Sequence, residues 1–259
     1  MQVDVLTSGI WQTNSTILSD RGDCVVVDPA YFPRELDAIV AKVGERGRAA
    51  AVIFTHGHWD HVMGHTALPG APVHVSSVLA NAVASDDPRV AKYLDDARDF
   101  DSRWYVVRPH GYRWPSALHG LAETDHAQLG AVSLRTLHLP GHSPDGLGLV
   151  TDDVLLVGDY LSPCEIPFVE DARAYRGTLS RLLELLPTVR SVIPGHGPRL
   201  GAREAIAIAR DDLTYLDRLL AARDLPAALA IPLPRAADVA GMSEHHRNNC
   251  TAALAISDF

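Results

Sequence analysis

The longest wholly apolar run in the chain, the six residues from Ala49 to Phe54, leads directly into Thr55-His56-Gly57-His58-Trp59-Asp60-His61. A membrane-spanning helix needs about 20 apolar residues, so a run this short suits a buried β-strand instead. The chain must then fold around short strands, and the carboxyl end of this one carries four potential metal ligands: His56, His58, Asp60 and His61. Imidazole and carboxylate together suit zinc, iron, manganese or nickel. A glycine between two histidines is expected to let the backbone bend so that both rings meet one ion. Capping the following helix would need only one polar side chain and does not account for the cluster.

Around that strand the first third of the chain alternates β-branched runs with turn signals. Thr16–Leu18, Cys24–Val27 (stopped by Asp28-Pro29) and Ala50–Thr55 read as strands. Between them, Leu36, Ile39, Val40 and Val43 keep the spacing of a one-sided helix from Pro33 to Gly44. The pattern then repeats. Val132–Leu139, Leu147–Val150 and Val154–Val157 read as strands turned by Gly146 and Asp152-Asp153. Tyr175–Leu186 reads as a helix and Ser191–Ile193 as a strand. Ala202–Ala222 is expected to be an amphipathic helix with Ile206, Ile208, Leu213, Leu216 and Leu220 on its apolar face. Two strand-and-helix halves that bury one sheet face on the other predict an α/β, four-layer αββα sandwich. The expectation is a single domain over residues 1–259 with two additions. One is the aromatic segment 85–130, either a cap over a site or a helical insertion packing its rings on the body. The other is a C-terminal helical appendage, 226–259, whose last helix is expected to be capped by Ser243 and to reach about Ile256.

Charge and cysteine usage exclude several function classes. The balance of 23 Lys+Arg against 32 Asp+Glu leaves −9, with no basic block, which argues against nucleic acid as a partner. Met1–Leu18 shows no basic start followed by an apolar stretch, so the expectation is a cytoplasmic chain with no membrane association. Cys24, Cys164 and Cys250 are too widely spaced for a disulfide framework or a metal knuckle.

Three further segments complete a pattern: Pro140-Gly141-His142-Ser143, Val157-Gly158-Asp159 and Pro194-Gly195-His196-Gly197. With the histidine-rich segment, their order over about residues 3 to 200 resembles the metallo-β-lactamase-fold superfamily of metallohydrolases, nearest in appearance to its glyoxalase-II-like branch. That resemblance implies His56, His58 and His142 on one metal ion, Asp60, His61 and His196 on a second, and Asp159 bridging. It implies two divalent ions, zinc by preference with iron or manganese as alternatives. A hydroxide held between them would cleave a small acyl thioester, ester or lactone. Asp60 could also orient that hydroxide or pass a proton to the leaving group as a catalytic residue. Cys164 borders the expected site, yet the ligand set has no vacancy for it and it reads as a spectator thiol.

The same resemblance leaves rivals open. A mono-iron persulfide dioxygenase would use His56, His142 and Asp159, and the motif does not separate it from a hydrolase. A β-lactamase is the weaker alternative because it would need export. A non-catalytic member is disfavoured because no ligand is lost. The partner is expected to be a small-molecule substrate, with a homodimer left open. Substrate contacts are assigned to Trp104, Tyr112, Trp114, Phe168 and His246, the last because a C-terminal helical part helps bind acyl-thiol substrates in glyoxalase-II-like relatives. Of the thirteen histidines, those outside the motifs otherwise read as surface or packing residues.

Overall fold

The structure, a computed structural model, describes residues 1–255. In chain order the elements are β1 (Gln2–Thr7), β2 (Asn14–Asp20), β3 (Asp23–Val27), α1 (Pro33–Arg46), β4 (Arg48–Ile53), α2 (Trp59–Val62), β5 (Val73–Ser76), α3 (Ser77–Ala84) and α4 (Pro88–Arg103). They continue with β6 (Leu118–Leu121), β7 (Thr124–Leu129), β8 (Val132–His138), β9 (Leu147–Thr151), β10 (Val154–Leu156) and α5 (Ala172–Leu185). The last described elements are β11 (Ser191–Ile193), β12 (Leu200–Gly201), α6 (Ala202–Leu220), α7 (Leu225–Leu229) and α8 (Met242–Ala255). Among the described residues these strands form two six-stranded sheets, ordered β1-β2-β3-β4-β5-β6 and β12-β11-β10-β9-β8-β7. This is the mixed α/β class expected from the strand-and-helix pattern. The chain divides into two compact units, residues 1–138 with 149–152, and residues 139–148 with 153 onward.

In the first unit, β1 to β3 run antiparallel, whereas β3, β4, β5 and β6 run parallel. Parallel neighbours need a crossover, and α1 supplies the one between β3 and β4. Its Leu36, Ile39 and Val43 pack in the core with Val26, Val52 and Phe54, while Val40 stays 41% exposed. The start of α1 is fixed by Glu35, whose carboxylate accepts hydrogen bonds from the backbone of Gly9, Tyr31 and Phe32 and from the Ser8 hydroxyl. Segment 85–130 contains α4 and supplies β6, the edge strand of the first sheet, as well as β7. Phe100, Tyr112 and Trp114 from this segment pack against the core.

The second unit carries β10, β11 and β12 with α5 to α8. Strand β10 pairs parallel with β11, in the register Leu156 to Ile193. Helix α6 differs from the expected face. Its buried residues are Ala205, Ala209, Asp212, Tyr215, Leu216 and Leu219, with Ile206, Ile208 and Leu213 only half-buried. The stripe is rotated because Asp212, wholly buried, pairs with Arg235 at 2.7 Å and so belongs to the inward face. Ser243 also departs from expectation. Helix α8 already begins at Met242, which places Ser243 inside the helix, and Gly241 O accepts from the amides of Glu244 and His245. Ile256, the expected end, lies outside the described residues. No helix among the described residues is long and apolar enough to cross a membrane.

Candidate functional site

Strand β4 ends at Ile53, and Phe54 and Thr55 carry the chain to His56, so the histidine-rich segment begins just past the carboxyl end of a central strand. His58 precedes the single turn of α2, which bears Asp60 and His61. His56, Asp60 and His61 are all buried, and His58 is half-buried. Nε2 of His56 lies 3.1 Å from Nδ1 of His58, and Nε2 of His61 lies 3.4 Å from Oδ2 of Asp60. Gly57 serves this cluster differently from the expected backbone bend. Its φ is not positive; what matters is its missing side chain, since a Cβ there would stand 2.7 Å from Cε2 of Tyr93 on α4. The Tyr93 ring is thereby admitted to within 5.1 Å of the His58 ring, centroid to centroid.

A residue absent from the sequence-based set organises these donors. Asp28, buried at the end of β3 with φ +49°, accepts from the Thr55 amide (2.7 Å) and the Thr55 hydroxyl (2.6 Å), and its Oδ2 faces Nδ1 of His61 at 3.0 Å. A carboxylate only accepts, so Nδ1 of His61 carries the proton and the Nε2 lone pair faces Asp60. The Thr55 hydroxyl, having given its own proton to Asp28, accepts from Nδ1 of His56 at 3.2 Å and leaves that ring's Nε2 lone pair toward His58. One carboxylate thus sets the tautomers of two histidines, the usual task of an outer partner in a metal site. In the sequence Asp28-Pro29 reads as a turn, and only its position beside the motif strand could have marked it.

The second unit builds its donors from register. Asp159 and His196 follow the ends of the adjacent parallel strands β10 and β11, and the pairing continues past them through Gly195 N–H to Gly158 O at 2.6 Å. A Cβ on Gly195 would lie 2.1 Å from Oδ1 of Asp159, so glycine is what lets the carboxylate lie against this turn. His142 is braced by Tyr160, whose hydroxyl accepts from the His142 amide at 3.1 Å and donates to Pro140 O at 2.7 Å. Burial pushes the Tyr160 phenol well up, which keeps it a donor. Nε2 of His142 and Nε2 of His196 each stand 3.3 Å from the same oxygen, Oδ2 of Asp159.

These contacts test whether a metal ion suits the residues. Nδ1 of His142 faces the Phe168 carbonyl at 3.0 Å, and a carbonyl only accepts, so the proton sits on Nδ1 and a lone pair on Nε2 faces Asp159. The His61–Asp60 contact in the first unit has the same form. Two acceptors at such distances repel unless positive charge lies between them, and the recurrence of the arrangement in both units fits divalent cations held by imidazole and carboxylate.

The remaining sequence-based candidates fall as follows. Phe168 contributes its carbonyl to His142, while its ring packs on His245 at 3.9 Å between centroids. Trp104, at the end of α4, is 66% exposed. Tyr112 donates to Asp101 at 3.0 Å, and the Trp114 indole donates to Val90 O at 3.1 Å. His246 is buried, with Nδ1 2.8 Å from the Tyr215 hydroxyl. Cys164 has its sulfur 3.2 Å from the Ser162 hydroxyl.

The family model of the metallo-beta-lactamase superfamily matches residues 8–232, and the chain belongs to that superfamily. Its fold class is the one the superfamily shares, and its histidine and aspartate donors support a metal-dependent hydrolase of that superfamily. A β-lactamase-like protein 2 homolog of Drosophila melanogaster is 29% identical over 183 residues, 70% of this chain and 54% of that one. The human acyl-coenzyme A thioesterase MBLAC2 is 28% identical over 187 residues, 65% of this chain and 63% of that one. The chain therefore spans less than two thirds of the length of either relative. Among solved structures, TTHA1623 in a di-iron-bound form is 26% identical with a TM-score of 0.59, over 78% of this chain and 96% of that one.

Proposed function

We propose that the chain is a dinuclear metal-dependent hydrolase of small acyl thioesters. His56, His58 and His142 would hold one ion, Asp60, His61 and His196 the other, with Asp159 shared. The observation that carries this reading is the approach of two imidazole Nε2 atoms to one carboxylate oxygen, Oδ2 of Asp159, at 3.3 Å each, with the proton of His142 committed to the opposite side of its ring. When bound, the ions supply Lewis acidity and a water acidic enough to deprotonate near pH 7. The protein's own part is to hold the donors rigid: Asp28 through His61 and Thr55, Tyr160 through the His142 turn, and Gly195 behind Asp159.

Leaving-group chemistry favours a thioester over an amide. A departing thiolate, whose conjugate acid has a pKa of about 8.5, needs little protonation, whereas an amine must be protonated to leave. Asp60, whose Oδ2 faces His61, can act as a ligand through that oxygen and leave Oδ1 to relay a proton from the attacking water to the leaving group where an ester requires it. The name of the human relative supports the acyl-thioester class. A small-molecule substrate rather than a nucleic acid is supported by the net charge of −9.

The test is the metal content of protein purified without added ions, read by element-specific mass spectrometry, together with turnover on a panel of acyl thioesters. About two divalent ions per chain, with thioester hydrolysis lost in His58→Ala, is the expected result. A single iron with oxygen consumed in the presence of a persulfide would replace the proposal with a dioxygenase.

A further inference from the structure

The first unit contains a cavity of about 810 Å³ that none of the metal-donor residues lines. Its volume falls within the range of small-molecule sites. In a chain of net charge −9 its lining is unusual, since it includes Arg113, His65, His110 and His119 and no carboxylate. Arg113 has no carboxylate partner among the described residues. Nδ1 of His65 is committed to Val62 O at 3.0 Å, so the ring is held in one orientation. Behind the lining, the β5–β6 register pairs His74 with His119, their rings 5.0 Å apart, and Nδ1 of His74 is buried with no hydrogen-bond partner among the described residues.

The apolar part of the cavity is stiff. Pro69, Pro72 and Pro115 have fixed φ, and the Trp114 ring is anchored through its indole N–H to Val90 O. A guanidinium offers five donors and no acceptor, and His110 and His119 can each turn an N–H toward the cavity, whereas the proton of His65 is spent on Val62 O. The pocket therefore presents donors in excess with no anion of its own to receive them. A carboxylate has two oxygens to offer this array, whereas a phosphate monoester has three and the greater charge.

We propose that this cavity is a binding site for a small organic phosphate monoester, its phosphate held by Arg113 with His110 and His119 and its apolar or ring portion lying along Pro69, Pro72 and Trp114. The site is separate from the hydrolytic centre and does not depend on the thioesterase reading.

The experiment is calorimetric titration of the metal-loaded protein with phenyl phosphate as probe, and with phenol and inorganic phosphate as its two halves. Wild type and His58→Ala should bind phenyl phosphate alike, because the site lies outside the metal donors. Arg113→Gln should bind at least ten times more weakly, His110→Ala should also be weakened, and both should keep the thioester turnover of wild type. Phenol should not bind measurably, and inorganic phosphate should bind more weakly than the ester. Unchanged affinity in Arg113→Gln overturns the proposal, as does loss of binding in His58→Ala, which would place the phosphate on the metal donors. Absence of phenyl phosphate binding at millimolar concentration overturns it too. Inorganic phosphate binding as tightly as the ester would remove the apolar portion from the assignment.

Discussion

Replacing Asp28 with asparagine isolates the role of one buried carboxylate. The substitution keeps the side-chain shape and suits the backbone, because asparagine tolerates the positive φ of +49° found there. It cannot keep all three hydrogen bonds. With its oxygen toward His61, the new amide NH2 faces the Thr55 N–H, donor against donor. Turned over, the NH2 faces Nδ1 of His61 and the ring must move its proton to Nε2, the atom that faces Asp60. A hydrogen bond to a charged group contributes about 1.5–3 kcal/mol, so either orientation destabilises the loaded site by roughly that amount. Loss of an outer partner of this kind weakens metal affinity by roughly 10–100-fold, equivalent to about 1.4–2.7 kcal/mol. Competitive chelator titration of Asp28→Asn against wild type measures it, with circular dichroism confirming that the variant is folded. Metal affinity within twofold of wild type in a folded variant would refute the argument that Asp28 sets the tautomers.

Other expectations concern stability. Burial pushes the Glu35 carboxyl up, but hydrogen bonds from Gly9, Ser8, Phe32 and Tyr31 outweigh it and hold the group below its ordinary value of 4.5. Its stabilisation is therefore complete above that value and is lost as pH falls through the lowered one; Glu35→Gln should flatten the acid side of a stability-against-pH curve, and an unchanged acid limb would count against it. Burial pushes Asp212 up to about 6 even with Arg235 beside it. Arg235→Ala should cost about 3–5 kcal/mol at neutral pH by leaving the carboxylate alone. Because Asp212 takes up its proton in the folded chain below about 6 and then leaves no bare carboxylate behind, that cost should shrink in denaturant melts at pH 5; an equal cost at both pH values would contradict the pairing. Chelation of the metal should lower the thermal midpoint by roughly 5–10 °C, from about 2.7 kcal/mol of binding linkage at a hundredfold excess over Kd. A midpoint unmoved by chelator would speak against these donors.

The candidate metal donors could be picked out in the sequence because each lies in the segment that follows a strand and stands beside a glycine or a second candidate ligand. Strand Ser191–Ile193 is found as expected, and β3 differs from Cys24–Val27 by one residue at its start. What sequence reading missed depends on neighbours distant along the chain. Strand β5 has only four residues and draws its identity from β4 and β6 on either side. The face of α6 is turned by an ion pair with a residue 23 positions later, which no periodicity of apolar residues records. Asp28 looks like a turn residue until β3 and β4 lie side by side and bring it to Thr55. The aromatic residues of segment 85–130 could be recognised as a group, but not the strands that the same segment lends to the sheets.

The space left by Gly57 and filled by Tyr93 has a consequence for how chains of this kind can diverge. With a Cβ 2.7 Å from the tyrosine ring, alanine at position 57 is compatible only with a smaller side chain or a displaced helix at position 93. The two positions should therefore change together among relatives: where the residue between the first two histidines gains a side chain, the helix facing it should lose its tyrosine.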